Sequence, residues 1–122
     1  KNNLKLRNGF PKFDLILLGM GDDGHTSSIF PDRLDLLKSE DVCAVAVHPE
    51  SKQEKITLTG KTINNADKIY FLVTGKGKAE VIFEILEKKH NYLKYPSSYI
   101  HPNKYYPVWF LDREAASLLS LK

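Results

Sequence analysis

The sequence has one cysteine, which excludes an internal disulfide framework. Cys43 lies in the apolar run VCAVAV, so a buried core thiol is expected there rather than a nucleophile. No run is long and apolar enough to span a membrane. No secretory signal pattern is present either, and the compartment these absences imply is the cytoplasm. Charge of one sign is also in short supply. The formal net charge is +3, from 18 Lys and Arg against 15 Asp and Glu. That balance suits small anionic ligands and is too weak and scattered for nucleic acid. The densest basic run, Lys88-Lys89-His90, closes a helical pattern, where cations suit the helix C-terminus. No His/Cys/Asp cluster has metal-ligand spacing, so no metal is expected. The chain does not open on methionine, and KNNLKLRNGFPK at residues 1–12 reads as linker. The expectation is a piece of a longer protein, with part of any active site outside it.

What is present reads as a single α/β domain portion. The composition is 42% apolar and 27% charged, and 122 residues suffice for one core and not two. Residues 13–18 (FDLILL) and 42–47 (VCAVAV) are nearly continuous apolar runs, suited to strands covered on both faces. Residues 55–59 (KITLT), 68–74 (KIYFLVT) and 107–111 (PVWFL) add three more strands. A helix is predicted over about 78–89, with Ala79, Ile82, Phe83 and Leu86 on its inward face. Asp112 is placed to cap a final helix over 113–121, with Ala115, Ala116 and Leu119 inward. Short helices are expected from 27–30 and over 61–66, and a structured loop over 92–106. Trp109 reads as core, and His48, His90 and His101 as surface or structural residues. Alternating strands and helices imply an open, largely parallel sheet flanked by helices, Rossmann-like in its order.

The glycines concentrate in one place. Gly19, Gly21 and Gly24 in LLGMGDDGHTSS have G-x-G-x-x-G spacing at the end of a strand, the edge where open α/β sheets bind ligands. A dinucleotide turn fits poorly, because Asp22 and Asp23 would face a pyrophosphate at close range. The ribose-binding acid is missing as well: the next strand runs into His48-Pro49, and Glu50 follows the proline. A catalytic loop uses the same glycines to turn tightly and expose amides. His25 beside a carboxylate gives a base that accepts a proton near neutrality. A helix starting near Thr26 would supply donors for an oxyanion. The spacing by itself leaves His25 open between this role and a hydrogen-bonded loop histidine.

FDLILLGMGDDGHTSSIFP closely resembles the signature segment of the 6-phosphogluconolactonase family. EKITLTGKTINNADKIYFLVTGKGKAEVI resembles the stretch from the family's I-T-L-T strand to its G-x-x-K helix, and VWFLDREAASLL resembles its carboxyl-terminal ending. The likeness runs from Phe13 onward. It implies the carboxyl-terminal part of a larger domain. The amino-terminal half, with its Ser/Gly-rich phosphate loop and arginine, would then be missing. The implied reaction is hydrolysis of a sugar-phosphate lactone, with no metal or redox cofactor. The related glucosamine-6-phosphate deaminases follow their D/N-G-H core with a glutamate-bearing F-N-E-P segment. Here Ile29-Phe30-Pro31-Asp32 has no glutamate, which favours the lactonase branch. A deaminase-like enzyme and a non-catalytic sugar-phosphate-binding module remain the alternatives.

The resemblance assigns roles residue by residue. His25 matches the family histidine that activates water. Asp23 would orient His25, bond a substrate hydroxyl, or only shape the Gly24 bend. Asp22 reads as exposed and dispensable. Lys78 matches the G-x-x-K lysine, poised with nearby backbone amides for a 6-phosphate, and is otherwise a solvated helix lysine. Lys55 stands where the family often has arginine. It keeps the charge and loses the bidentate fork, or it is simply exposed. Gly21 and Gly24 would bring backbone amides to the substrate. Thr26 is read first as a helix cap and second as a substrate contact.

Overall fold

The computed structural model describes residues 4–120. Its central sheet has three parallel strands, β3 (Leu15–Leu18), β6 (Lys68–Val73) and β7 (Val108–Leu111), in the order β3-β6-β7. The register pairs Leu17 with Tyr70 and Phe71 with Trp109. Side chains alternate across this sheet. Leu18, Ile69, Phe71 and Val73 point into the core, where Trp109 stacks on Phe71 with centroids 4.0 Å apart and planes 8° from parallel. Such an aromatic pair adds about 1 kcal/mol beyond its burial. The core reading of Trp109 therefore holds, with its indole half-buried against that cluster.

Helix α2 (Ala79–Leu86) joins the same core through Val81, Ile82 and Ile85. Its inward face is rotated from the expected one, since Leu86 is exposed and Glu84 is buried. A short 3₁₀ turn, Lys76–Lys78, leads into it after Gly75. Helix α1 (Gly60–Asn64) is capped by Thr59, whose hydroxyl accepts the Thr62 amide and donates to the Asp41 carbonyl. A side chain on Gly60 would meet the Leu37 backbone at 2.6 Å, so glycine lets α1 close on the 3₁₀ helix Pro31–Leu37.

Four expectations need correction. The run at 42–47 is not a doubly covered parallel strand. It forms β4 (Cys43–Val47), paired antiparallel with β5 (Glu54–Leu58), and this hairpin lies apart from the central sheet. One face of the hairpin is therefore open, and Cys43 on it is exposed rather than a core thiol. No helix begins at 27–30. Thr26 and Ile29 close a bridge there, and helical geometry begins only at Pro31. Residues 113–118 form turns rather than a helix, because Ser117 and Leu119 bond three residues back and Ser120 turns away to Glu87. Asp112 still accepts the Ala115 amide as a cap would. Leu121 lies outside the described residues.

The opening also departs from a linker. β1 (Leu6–Arg7) and β2 (Phe10–Pro11) form a hairpin around Asn8-Gly9, both at positive φ. Asn65 donates to the carbonyls of Arg7, Phe10 and Pro11, and Asp67 accepts Arg7 and Lys12 at 3.0 and 2.8 Å. Residues 1–3 lie outside the described residues. Residues 92–106 are a structured loop carrying the 3₁₀ turns Tyr92–Lys94 and Pro96–Tyr99. Among the described residues no helix is long and apolar enough to cross a membrane.

Candidate active site

Strand β3 ends at Leu18, and the chain then folds back on itself through residues 19–25. The Gly24 amide donates to the Gly21 carbonyl at 3.0 Å, and the Gly21 amide to the His25 carbonyl at 2.9 Å. Thr26, almost fully buried, donates its hydroxyl to the Gly19 carbonyl at 2.8 Å. Thr26 thus ties the far end of the loop to the strand end and caps no helix. The amides of Gly21 and Gly24 are taken up within the loop, so they are not offered to a ligand as the sequence implied. A pyrophosphate would find neither those donors nor a helix N-terminus following the loop, and the dinucleotide reading loses its physical basis.

Each of the two inner glycines is required by a neighbour. A Cβ on Gly21 would fall 2.2 Å from Cε1 and 2.3 Å from Nδ1 of His25, because the imidazole lies over that Cα. Gly24 has φ +82°, and a Cβ there would fall 2.4 Å from the Tyr95 ring. Gly19 has open space, so the first glycine of the motif carries no such constraint.

His25 and Asp23 form a pair. The imidazole Nδ1 lies 2.5 Å from Asp23 Oδ1, and the same oxygen accepts the His25 amide at 3.0 Å. A carboxylate on Nδ1 favours the tautomer with hydrogen on that nitrogen and leaves the Nε2 lone pair free. The ring is about one-third exposed, at 31%, so solvent reaches it. Its other side packs on Phe30, with centroids 4.8 Å apart, and Phe30 in turn meets the edge of His48. His48 is a structural residue: its Nδ1 accepts the amides of Glu50 and Ser51 at the β4–β5 turn. His25 opens onto a hollow lined by Gly19, Met20, Gly21, Thr26 and Ser27.

Lys78 reaches the same loop from the start of α2, donating to the Met20 carbonyl at 2.7 Å. One ammonium and one imidazole thus meet neighbouring residues of the same loop, at Met20 and Gly21. Lys55 is not brought onto the loop. It is exposed on β5, two residues before Thr57, whose hydroxyl accepts the Ser28 amide at 3.1 Å. Alternation puts Lys55 on the Thr57 face of the strand, toward the loop side. Asp22 is exposed, as expected.

The geometry is that of a loop carrying an oriented imidazole, with a lysine ammonium on a neighbouring carbonyl of the same loop. The family model described as glucosamine-6-phosphate isomerases/6-phosphogluconolactonase matches residues 1–109. The chain belongs to that family. Among its relatives, the 6-phosphogluconolactonase of Aggregatibacter actinomycetemcomitans is 46% identical over 107 residues, covering 88% of this chain and 46% of the relative. The solved structure described as devB protein superposes with a TM-score of 0.88 at 40% identity, over 95% of this chain and 48% of that one. The 6-phosphogluconolactonase of Leishmania guyanensis superposes with a TM-score of 0.81 at 30% identity, over 98% and 49%. The chain therefore spans about half the length of the relatives it matches.

Three residues of this family member's loop surroundings escaped the sequence reading: Tyr95, Ser97 and Glu84. The first two sit in the irregular 92–106 segment, where no periodicity marks a buried position. Glu84 carried a signal, an acid amid the apolar helix residues VIFEIL, which calls for a buried partner.

Proposed function

We propose that the full-length protein hydrolyses 6-phosphoglucono-δ-lactone to 6-phosphogluconate, a step of the pentose phosphate route, using water activated by His25. The observation that carries this reading is the Asp23–His25 contact, which engages Nδ1 and leaves Nε2 as the free ring nitrogen of a histidine that lines a solvent-reached hollow. Water attacks the ring carbonyl as Nε2 accepts its proton, and the carbonyl electrons move to oxygen. The tetrahedral alkoxide then collapses and expels the ring oxygen, which takes the proton back from the imidazolium. One ester bond breaks, one C–O bond forms, and the products are an acid and a hydroxyl. Asp23 holds the ring and stabilises its transient positive charge. Lys78, bonded to Met20 of the loop, supplies positive charge for the 6-phosphate, and Lys55, exposed on β5 and off the loop, adds only a more distant charge. No helix N-terminus follows the loop to hold the oxyanion, so that task falls outside the donors the sequence suggested.

The test uses the full-length protein with freshly prepared lactone, followed by proton release. His25→Ala is expected to lower the enzymatic rate by roughly 10²–10⁴-fold, the range for a lost general base. A His25→Ala protein as fast as the parent removes the base assignment. Release of ammonia from glucosamine 6-phosphate would place the chain in the isomerase branch. Binding of 6-phosphogluconate without turnover would make it a binding module.

A further inference from the structure

The loop that carries His25 rests on the segment Tyr95-Pro96-Ser97, which no catalytic role accounts for. Ser97 clasps the Gly24 carbonyl twice, with its amide at 3.0 Å and its hydroxyl at 2.8 Å. That carbonyl belongs to the peptide unit joining Gly24 to His25. The N–H of the same unit is the His25 amide, which donates to Asp23 Oδ1 at 3.0 Å. One peptide plane is therefore held at both ends, by Ser97 on its oxygen and by Asp23 on its nitrogen. Its orientation sets the direction in which the His25 side chain leaves the backbone, because a peptide is planar and turns as a unit.

Tyr95 fixes the same peptide from below. Its ring lies against the Gly24 Cα, close enough to forbid any side chain there. Its hydroxyl donates to the Glu84 carboxyl on α2, and Tyr95, Ser97 and Glu84 are all buried. Burial, reinforced by the Glu84 carboxyl, pushes the Tyr95 phenol up to about 12, so it stays a hydrogen-bond donor through the physiological range. Helix α2 and the turn leading into it thus serve the loop twice. Lys78 at its start meets Met20, and Glu84, six residues on, about 9 Å along the axis, anchors the ring under Gly24.

We infer that Ser97 and Tyr95, the latter anchored by Glu84, are positioning residues that hold the Gly24–His25 peptide so that the imidazole meets Asp23. The inference rests on the proposed role of His25. Displacing a catalytic group by a fraction of an ångström costs rate without changing what binds.

Ser97→Ala and Tyr95→Phe in the full-length protein remove single hydrogen bonds and keep side-chain volume. Each is expected to lower kcat on the order of 10-fold with KM within about twofold. Ser97→Thr restores the hydroxyl and is expected to recover most of the rate, and Glu84→Gln retains an acceptor for Tyr95 and is expected to be milder than Glu84→Ala. Nitrogen chemical shifts of His25 report independently of turnover, and Ser97→Ala is expected to lower the fraction with hydrogen on Nδ1. If both substitutions lower the melting temperature while kcat and the His25 shifts stay at parental values, Ser97 and Tyr95 are only structural and the inference fails. If His25→Ala keeps the parental rate, the functional reading fails instead, and the shifts still decide whether Ser97 orients the ring.

Discussion

At the scale of single residues, Gly21 and Gly24 fill the same motif for different physical reasons, and substitution separates them. A methyl on Gly21 collides with the end of an imidazole that solvent reaches, and such a side chain can swing away. Gly21→Ala is therefore expected to leave the fold intact, by circular dichroism, while breaking the Asp23 contact and, on the proposed function, lowering the full-length protein's lactone turnover by about 10²-fold. A methyl on Gly24 collides with a ring that cannot swing, because Tyr95 is buried and tied to Glu84, and it also forces alanine to positive φ. Gly24→Ala is expected to cost roughly 1–3 kcal/mol from the backbone conformation and more from the ring, read by denaturant melts. Tyr95 adds a pH signature. Its folded phenol lies near 12 and an unfolded tyrosine near 10, so the folded state keeps its proton longer. The stability it contributes is whole below about pH 10 and is lost as pH rises toward 12. Phenolate absorbance is expected to show a late component among the six tyrosines that Tyr95→Phe removes.

At the scale of elements, the β1–β2 hairpin is held to the body by the Asn65 hydrogen bonds and by two ion pairs to Asp67, and only the second set responds to pH. Lys12, and after it Arg7, hold the Asp67 carboxyl below the usual carboxylate range. A depressed carboxylate contributes stability above its unfolded value and loses it as pH falls through the folded one. Amide protection at Lys12, whose N–H donates to the Lys5 carbonyl, is expected to fall below about pH 4, and Asp67→Asn to produce the same loss at neutral pH. Unchanged protection under both conditions removes the ionic tether. This hairpin was legible in Asn8-Gly9 and was read as linker because two-residue strands leave no period to detect. The parallel strands were legible, since their apolar runs end at turn residues. The β4–β5 pairing was not, because a short apolar run looks alike in a buried parallel strand and in an open antiparallel one. Of the site, His25, Asp23 and Lys78 were legible as a motif and converge on one loop. Lys55 stays apart, and Ser97 acts through a backbone carbonyl that no side-chain pattern reports.

At the scale of the whole molecule, one face of the central sheet has no covering layer among the described residues. Leu15, Leu17, Leu72, Val108 and Phe110 lie on it in register and are 44–60% exposed. The opposite face carries α2 and the core, so the sheet is half of a sandwich. A soluble monomer rarely leaves so many adjacent large apolar side chains bare. Among the described residues β3 is moreover an edge strand, paired on its β6 side alone. Residues 1–122 alone are therefore expected to associate with rising concentration in sedimentation and to bind a hydrophobic dye such as ANS. Both signals must come from that face for the explanation to hold. Replacing Leu17 and Phe110 by lysine puts two charges on it without touching the core side, where Phe71 and Trp109 stack. The double variant is expected to keep its far-ultraviolet spectrum and to lose most of the dye binding and association. A monodisperse, cooperatively melting parent that ignores the dye would mean that the bare face needs no cover.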